Sequence, residues 1–150
     1  MADIVSPMKR SQMMAGIRGK NTKPEMSIRS SLHRRGYRFR LHRPDLPGTP
    51  DIVLPKHRAV VFVNGCFWHG HKCHLFKWPK SRPEFWRLKI ETNIERDRTT
   101  KELLTSSGWR VARVWECAMK GKFRLDSDLI VEQLTQWLES SQSEIEIWGG

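Results

Sequence analysis

The feature that most constrains this chain is an apolar run followed directly by a loop dense in cysteine and histidine. Residues 59–63 carry no polar side chain, which favours a β-strand covered on both faces. Residues 64–74 hold two of the three cysteines and three of the six histidines, together with the adjacent aromatics Phe67 and Trp68. Metal ligands, acid–base groups and base-stacking surface are thus predicted at the end of one strand. With a formal net charge of +11, this combination indicates a metal-dependent protein that acts on nucleic acid.

The charge distribution supports a polyanionic partner. Lysine and arginine number 27 against 16 acidic residues, and the basic residues concentrate in residues 9–43 while the last 25 residues are acidic. We therefore expect one basic face. No run approaches the roughly 18 to 20 apolar residues that span a bilayer, and the first residues lack the apolar core of a signal peptide. Three cysteines cannot all pair within one chain, so we expect a cytoplasmic protein whose thiolates bind a metal.

The order of predicted elements favours a mixed α/β sheet flanked by helices. We expect one domain over residues 1–150, with a basic arm at 1–20 and a flexible tail at 140–150. A capping pattern ahead of Glu25 predicts a helix that ends at Gly36. The remaining predictions are strands at 37–41, 51–54, 59–63 and 109–115 and helices at 81–106 and 125–139. Strands first, then a helical crossover to another strand and a closing helix, give this fold class.

The cysteines and one histidine have the spacing of a structural zinc site. Cys66, His71 and Cys73 lie in the loop, and Cys117 follows the strand at 109–115. Three thiolates and a neutral imidazole fill the four tetrahedral positions of zinc, and such a metal would hold a polar loop in shape. His69 and His74 compete as ligands, and the spacing alone does not decide among the histidines.

Asp51 is a candidate ligand for a catalytic divalent cation. It follows Pro50 at the start of a predicted strand, which is how metal-dependent nucleases of the restriction-enzyme type begin their active site. The usual acid-x-Lys on the next strand is absent, so a backbone carbonyl near Val63 would have to serve as a further ligand. The ion would be Mg²⁺, which polarises the phosphate and helps to generate hydroxide from water.

The long predicted helix carries a second candidate group. Trp86, Lys89, Asn93 and Asp97 recur at spacings of three, four and four residues, which places them on one helical face. An aromatic, a cation, an amide and a carboxylate on one stripe indicate a functional face, although polar helix faces also arise from solvation alone.

Together these residues resemble the very-short-patch repair (Vsr) endonucleases, a family of DNA mismatch endonucleases. The resemblance runs over nearly the whole chain, and two of its strings are highly specific. The matching motifs include Leu46-Pro-Gly-x-Pro-Asp51, Gly65-Cys-Phe-Trp-His69, Glu84-Phe-Trp86, Asn93-x-Glu-Arg-Asp97 and Val114-Trp-Glu-Cys-Ala118.

The resemblance implies a restriction-endonuclease-like fold and a role for each site residue. Mg²⁺ would be bound by Asp51 and the backbone carbonyl of Val63, and Glu25 would join the site through water. His69 would be the acid–base group with Asp97 as its partner. The implied ligands of structural zinc are Cys66, His71, Cys73 and Cys117.

The resemblance also implies how DNA is bound and where it is cut. The family nicks one strand 5′ to the thymine of a T·G mismatch, the product of 5-methylcytosine deamination. Phe67, Trp68 and Trp86 would wedge into the base stack, which costs less beside a weakly stacked wobble pair. Met14 would probe the minor groove, while the remaining polar contacts to base edges would come from Lys89 and Asn93.

One residue departs from the family pattern. Asn64 stands where the family often has histidine, and asparagine can orient a water or a phosphate oxygen but cannot transfer a proton at neutral pH. If the reaction needs a second histidine, activity is expected to be lower or its pH profile simpler.

The sequence leaves two alternative functions open and predicts several partners. The chain could instead be a related nuclease that nicks other damaged or branched DNA, or a non-catalytic zinc-dependent DNA-binding protein. For the main hypothesis, the expected partners are a cytosine-5 DNA methyltransferase, a DNA polymerase and a ligase. A bacterial cytoplasmic, nucleoid-associated monomer is expected, because an asymmetric mismatch needs one active site.

Overall fold

The architecture is a five-stranded mixed sheet between two layers of helices. The computed structural model describes residues 23–149, so the expected basic arm and Met14 lie outside the described residues. The elements in chain order are α1 (Lys23–Arg34), β1 (Arg40–Leu41), β2 (Ile52–Leu54), a 3₁₀ turn (Pro55–His57), β3 (Ala59–Asn64), α2 (Pro83–Ser106), β4 (Arg110–Trp115), α3 (Glu116–Met119), α4 (Ser127–Leu138) and β5 (Glu144–Ile147).

The strand order is β1-β2-β3-β4-β5, with antiparallel pairing as far as β3 and parallel pairing beyond it. The long helix α2 connects the parallel neighbours β3 and β4, as a crossover connection requires. In β3 the residues are buried on both sides of the strand, as its apolar sequence predicted. The sheet is the mixed α/β sheet expected of a restriction-endonuclease-like fold.

Alternate strand residues separate the core into two layers. One layer places Val61 of β3 and Val114 of β4 against α1 and α4, with Leu134 fully buried. The opposite layer groups Val60 of β3 with Leu104 of α2. Two-residue alternation in the strands therefore fixes α1 and α4 on one face and α2 on the other.

Two sequence predictions about strands were wrong. The predicted strand at residues 37–41 pairs only over Arg40–Leu41, because Tyr37 and Phe39 use their side chains to pack on the core while their backbone does not join the ladder. The expected flexible tail instead contains β5, which pairs in parallel with β4 and buries Ile147. In its alternating sequence Ile147 is buried and Ile145 half-buried on one side, while Glu144 and Glu146 are exposed on the other.

Glycines end two helices as predicted. Gly36 follows α1 and Gly108 follows α2, each with a positive φ, 89° and 87°, that favours glycine. Within residues 23–149, none of the helices combines the length and the apolarity that a bilayer crossing requires.

Candidate active site and metal-binding clusters

The loop that follows β3 folds back under α2. Its backbone is closed by short-range hydrogen bonds, including one of 2.9 Å from the His71 N–H to the Cys66 carbonyl. Gly70 has a φ of 62°, and a Cβ added there would lie 2.6 Å from Ile94 and 2.8 Å from Ile90. Glycine is therefore required where the helix crosses the loop.

The structure brings the expected zinc ligands together, and we call them the cysteine cluster: Cys66, His71, Cys73 and Cys117. One ligand atom from each lies within 4.8 Å of the others. The His71 Nδ1 atom is 3.5 Å from the Cys66 sulfur and 3.7 Å from the Cys117 sulfur. Of the three histidines in the loop, His71 is the one that joins this cluster.

The surroundings of the cysteine cluster suit a cation. Burial raises the pKa of the Cys66 and Cys117 thiols, so ionising them without a compensating positive charge is unfavourable. Burial lowers the pKa of His71, which keeps its imidazole neutral and its lone pair available. The ring stacks on Trp115 at 4.1 Å with 7° between the planes. The Gly149 N–H donates to the Cys117 sulfur, so the segment that follows β5 helps to orient this thiol.

Asp51 lies immediately before β2, at the edge of the antiparallel pair formed by β2 and β3. Its Oδ2 accepts a 2.7 Å hydrogen bond from the Val63 N–H, and its side chain is 17% exposed. Burial raises the pKa of Asp51 to about 7; the negative charge of Glu25 adds to this, while the Val63 N–H and His69 oppose it. Ionising the Asp51 carboxyl group is therefore costly, and a bound cation would stabilise its ionised form.

Glu25 and His42 complete a second group, which we call the carboxylate cluster: Glu25, His42 and Asp51. Ligand atoms of the three residues lie within 4.8 Å of one another. Glu25, contributed by α1, is 1% exposed and forms an ion pair of 3.2 Å with Arg29. The His42 Nε2 atom lies 2.9 Å from Glu25 Oε2, and its Nδ1 atom lies 3.8 Å from Asp51 Oδ1.

Sequence reasoning missed His42. The residue directly follows the alternating stretch at 37–41, and its backbone N–H donates to the Asp51 carbonyl at 3.2 Å. The available signal was that His42 follows one strand and Asp51 precedes the strand that pairs with it. That signal depends on knowing the register of β1 against β2.

His69 and Asp97 form the expected pair. The His69 Nδ1 atom lies 2.6 Å from Asp97 Oδ2, and because a carboxylate accepts hydrogen bonds, Nδ1 carries the proton. The backbone carbonyl of Asp97 accepts a 3.0 Å hydrogen bond from the buried Arg113, which fixes this part of α2 to β4. The imidazole is thereby held with its Nε2 atom as the proton acceptor.

His42 and Asp51 of the carboxylate cluster line one cavity with the His69–Asp97 pair. Its volume is about 340 Å³, and its lining includes His42, Asp51, Asn64, His69 and Asp97. Asn64 is 5% exposed, and its buried Nδ2 atom has no hydrogen-bond partner within residues 23–149. The cavity therefore brings two carboxylates, two imidazoles and this amide group together.

An aromatic surface lies beside this cavity. The ring centroids of Phe67 and Trp68 lie 5.5 Å and 5.9 Å from that of Trp86 on α2. Asn93 donates a 2.8 Å hydrogen bond to the Trp68 carbonyl, so it positions the loop as well as facing the surface, and Lys89 is exposed. Ring contacts continue outward to Phe76, Trp78 and Phe85.

The face of α2 predicted to be functional thus lies against the loop. Trp86 contacts the aromatic side chains of the loop, Asn93 donates to the loop backbone, and Asp97 lies beside His69. This mixed sheet, with an aspartate at a strand edge and a histidine–aspartate pair across the cavity, defines a restriction-endonuclease-like nuclease.

Comparison with known proteins names the family. The family model "DNA mismatch endonuclease Vsr" matches residues 2–75. The chain is 53% identical to the type II nicking enzyme V.XorIIP of Xanthomonas oryzae, over 86% of this chain and 95% of that enzyme. It is 42% identical to the DNA mismatch endonuclease Vsr of Escherichia coli, over 99% of this chain and 97% of that protein. The chain belongs to the Vsr family of DNA mismatch endonucleases, and it is a DNA-nicking enzyme.

Proposed function

We propose that this endonuclease makes a Mg²⁺-dependent nick in one strand of duplex DNA, 5′ to the thymine of a T·G mismatch. The observation that carries the proposal is the shared cavity, which the half-buried Asp51 lines together with the His69–Asp97 pair. The aromatic residues Phe67 and Trp68 directly precede His69 in the loop and contact Trp86. A single cation site and a single acid–base group are enough to cut one strand. The aromatic wedge would direct that cut to one disturbed base pair.

The carboxylate cluster fits a hard divalent cation. Asp51 supplies a buried carboxylate, and its hydrogen bond from the Val63 N–H places that residue's backbone at the same site. In an extended strand the N–H and C=O of one residue point to the same side, so the Val63 carbonyl is the second expected ligand. Glu25 would act through water. When bound, Mg²⁺ would offset the negative charge that develops on the phosphate.

His69 would take the proton from the attacking water. The Asp97 carboxylate binds the Nδ1 proton, which leaves the Nε2 lone pair for this task and stabilises the imidazolium that forms. Asn64 would orient the water or a phosphate oxygen, because its unpaired Nδ2 group lies in the same cavity.

The cysteine cluster would hold structural zinc. Three thiolates and one neutral imidazole match the ligand types that zinc takes in closed tetrahedral sites. The loop between Cys66 and Cys73 also carries His69, so zinc binding would fix the acid–base group relative to α2.

The aromatic surface would recognise the mismatch by unstacking it. Phe67, Trp68 and Trp86 would enter the base stack at the wobble pair, where unstacking costs less than at a matched pair. Lys89, Asn93 and Met14 would contact the grooves. The net charge of +11 supplies the attraction to phosphate that any duplex shares.

A nicking assay on matched, T·G-mismatched and branched duplexes tests the reaction and its substrate. Asp51→Ala should abolish nicking while zinc content and binding to T·G DNA stay close to those of the wild type. Asp45→Ala, an exposed aspartate in the preceding turn, is the matched control and should nick normally. Full nicking by Asp51→Ala would refute its role, and equal cutting of all three duplexes would favour the nuclease for other damaged or branched DNA.

Trp86→Ala tests the wedge. Losing one stacked aromatic should weaken binding to T·G DNA by about 1–3 kcal/mol, roughly 5- to 150-fold, while binding to matched DNA changes little. Trp148→Ala removes an exposed tryptophan (53%) outside the aromatic surface and should leave the preference intact. A T·G preference that survives Trp86→Ala unchanged would remove this residue from mismatch recognition.

The nick would be one step of a repair sequence in the bacterial cytoplasm, at the nucleoid. A cytosine-5 DNA methyltransferase would produce the bases whose deamination creates the substrate, and a DNA polymerase and a ligase would complete repair. We propose a monomer, which sedimentation of the protein alone and on a single mismatched duplex can test.

A further inference from the structure

His42 occupies the space between the two acids of the carboxylate cluster. Its ring nitrogens face opposite partners, with Nε2 2.9 Å from Glu25 Oε2 and Nδ1 3.8 Å from Asp51 Oδ1. The side chain is 11% exposed and lines the same cavity as His69. A histidine in this place is therefore close to both carboxylates of the expected cation site.

The contact between His42 and Glu25 is not a hydrogen bond. The Nε2 atom is buried and has no hydrogen-bond partner among residues 23–149, although Glu25 Oε2 is close enough for one, because the angles do not permit it. Two electronegative atoms this close repel each other when no hydrogen bond joins them, and a cation bound at Asp51 would offset that repulsion. The imidazole is therefore not committed to Glu25 as a hydrogen-bond partner.

Two further observations concern the surroundings of His42. Asn64, 5% exposed, lines the same cavity, and its Nδ2 donor has no partner within residues 23–149, so it could donate to a water or phosphate oxygen bound to the cation. The backbone of His42 is left-handed, with a φ of 49°, a conformation that is unfavourable for a residue with a side chain. This backbone holds the imidazole between the two carboxylates.

We propose that His42 is a direct ligand of the catalytic cation and that it shifts the metal preference of this endonuclease from Mg²⁺ toward Mn²⁺. Mg²⁺ prefers oxygen ligands, whereas first-row transition metals gain from an imidazole nitrogen. A site that adds an imidazole to the Asp51 carboxylate binds Mn²⁺ more tightly, relative to Mg²⁺, than the same site with oxygen ligands alone. This inference rests on the proposed cation site at Asp51.

The test is Mn²⁺ binding to the full, zinc-loaded protein, followed by the paramagnetic resonance of free Mn²⁺ and by competition with Mg²⁺. His42→Gln should weaken Mn²⁺ binding about tenfold or more and affect Mg²⁺ binding less, so the preference for Mn²⁺ falls. His57→Gln is the matched control, because His57 is similarly shielded but lies beside Glu139 instead. It should bind both ions as the wild type does.

A spectroscopic measurement can detect the ligand nitrogen directly in the wild-type protein, so the inference stays testable if His42→Gln folds poorly. In protein labelled with ¹⁵N-histidine, bound Mn²⁺ should show hyperfine coupling to a histidine nitrogen. The coupling should persist in His69→Gln and disappear in His42→Gln. Absence of ¹⁵N coupling in the wild type, or its survival in His42→Gln, would overturn the proposal and leave His42 as a bridge between two acids.

Asp51→Ala distinguishes an error about His42 from an error about the cation site on which the proposed function depends. If Asp51→Ala loses Mn²⁺ binding while His42→Gln keeps full affinity and coupling, the cation site stands and only the role of His42 falls. If Asp51→Ala binds Mn²⁺ as the wild type does, the cation site itself is misplaced and both proposals fail.

Discussion

The cysteine cluster and the carboxylate cluster are both able to hold a metal, but they are built in opposite ways. The cysteine cluster takes three ligands from one loop and the fourth, Cys117, from the residues after β4. The carboxylate cluster takes its members from α1, from the residue after β1 and from the start of β2. One cluster closes a loop, and the other depends on the whole sheet being in place.

The difference in ligands separates structure from chemistry. Four soft ligands satisfy zinc completely and leave no position for a substrate. The carboxylate cluster offers two carboxylates and one imidazole beside a cavity of about 340 Å³, so water and a phosphate oxygen can enter the coordination shell. The cysteine cluster is therefore expected to stabilise the fold, and the carboxylate cluster to sacrifice stability for catalysis.

Cys117→Ser is the strongest test of the structural half of this comparison. Losing a thiolate should release zinc, cost roughly 5 kcal/mol or more, and lower Tm by about 10 °C or more. Nicking should disappear as well, because the loop that carries His69 loses its attachment. Zinc analysis by mass spectrometry and thermal unfolding measure both effects.

The control for that experiment is Asp51→Ala, which changes the other cluster and should keep one zinc per chain. A Cys117→Ser variant that retains both its zinc and its Tm would show that the cysteine cluster does not stabilise the fold.

Asp97→Asn tests the catalytic side of the comparison, the His69–Asp97 pair. Asparagine keeps the size of the side chain but can present an N–H to His69 Nδ1, so the imidazole is no longer held in the tautomer that accepts a proton at Nε2. The nicking rate should fall by about 10²- to 10⁴-fold with little change in Tm or zinc content. Single-turnover rates on T·G duplexes measure the loss.

Asp128→Asn makes the same substitution at the exposed start of α4 and should nick at the wild-type rate. If Asp97→Asn instead lowers Tm strongly and leaves the rate of the folded fraction unchanged, the pair is structural.

Local patterns account for the parts of the molecule that the sequence predicted well. The apolar run of β3, and the Pro83 and Gly108 that bound α2, determine the local conformation, so the predicted bounds differ from the structure by only a residue or two. The Cys66, His71 and Cys73 ligands share one loop, and their spacing carries the chemistry directly.

The parts that the sequence did not predict depend on contacts between distant segments. β5 has four residues and two exposed glutamates, and it exists because β4 offers an open edge beside it. His42 acquires its partners when β1 pairs with β2 and α1 packs beneath them, which no spacing in the sequence records. Register and helix packing therefore limited the prediction of the site.

Asp51→Asn tests whether the carboxylate cluster destabilises the fold without its cation. The pKa of Asp51 is about 7 in the folded chain and 3.8 ordinarily, so the folded state holds this proton more tightly than the unfolded state. As pH rises from about 4 to 7 the wild type loses stability, by roughly 4 kcal/mol at most, whereas the asparagine variant has no proton to lose. In Mg²⁺-free buffer at pH 8, Asp51→Asn should melt a few degrees higher than the wild type, and the gap should narrow at pH 5. Added Mg²⁺ should stabilise only the wild type. A gap that is the same at both pH values, or a variant that melts lower at pH 8, would show that the buried carboxylate carries no such cost.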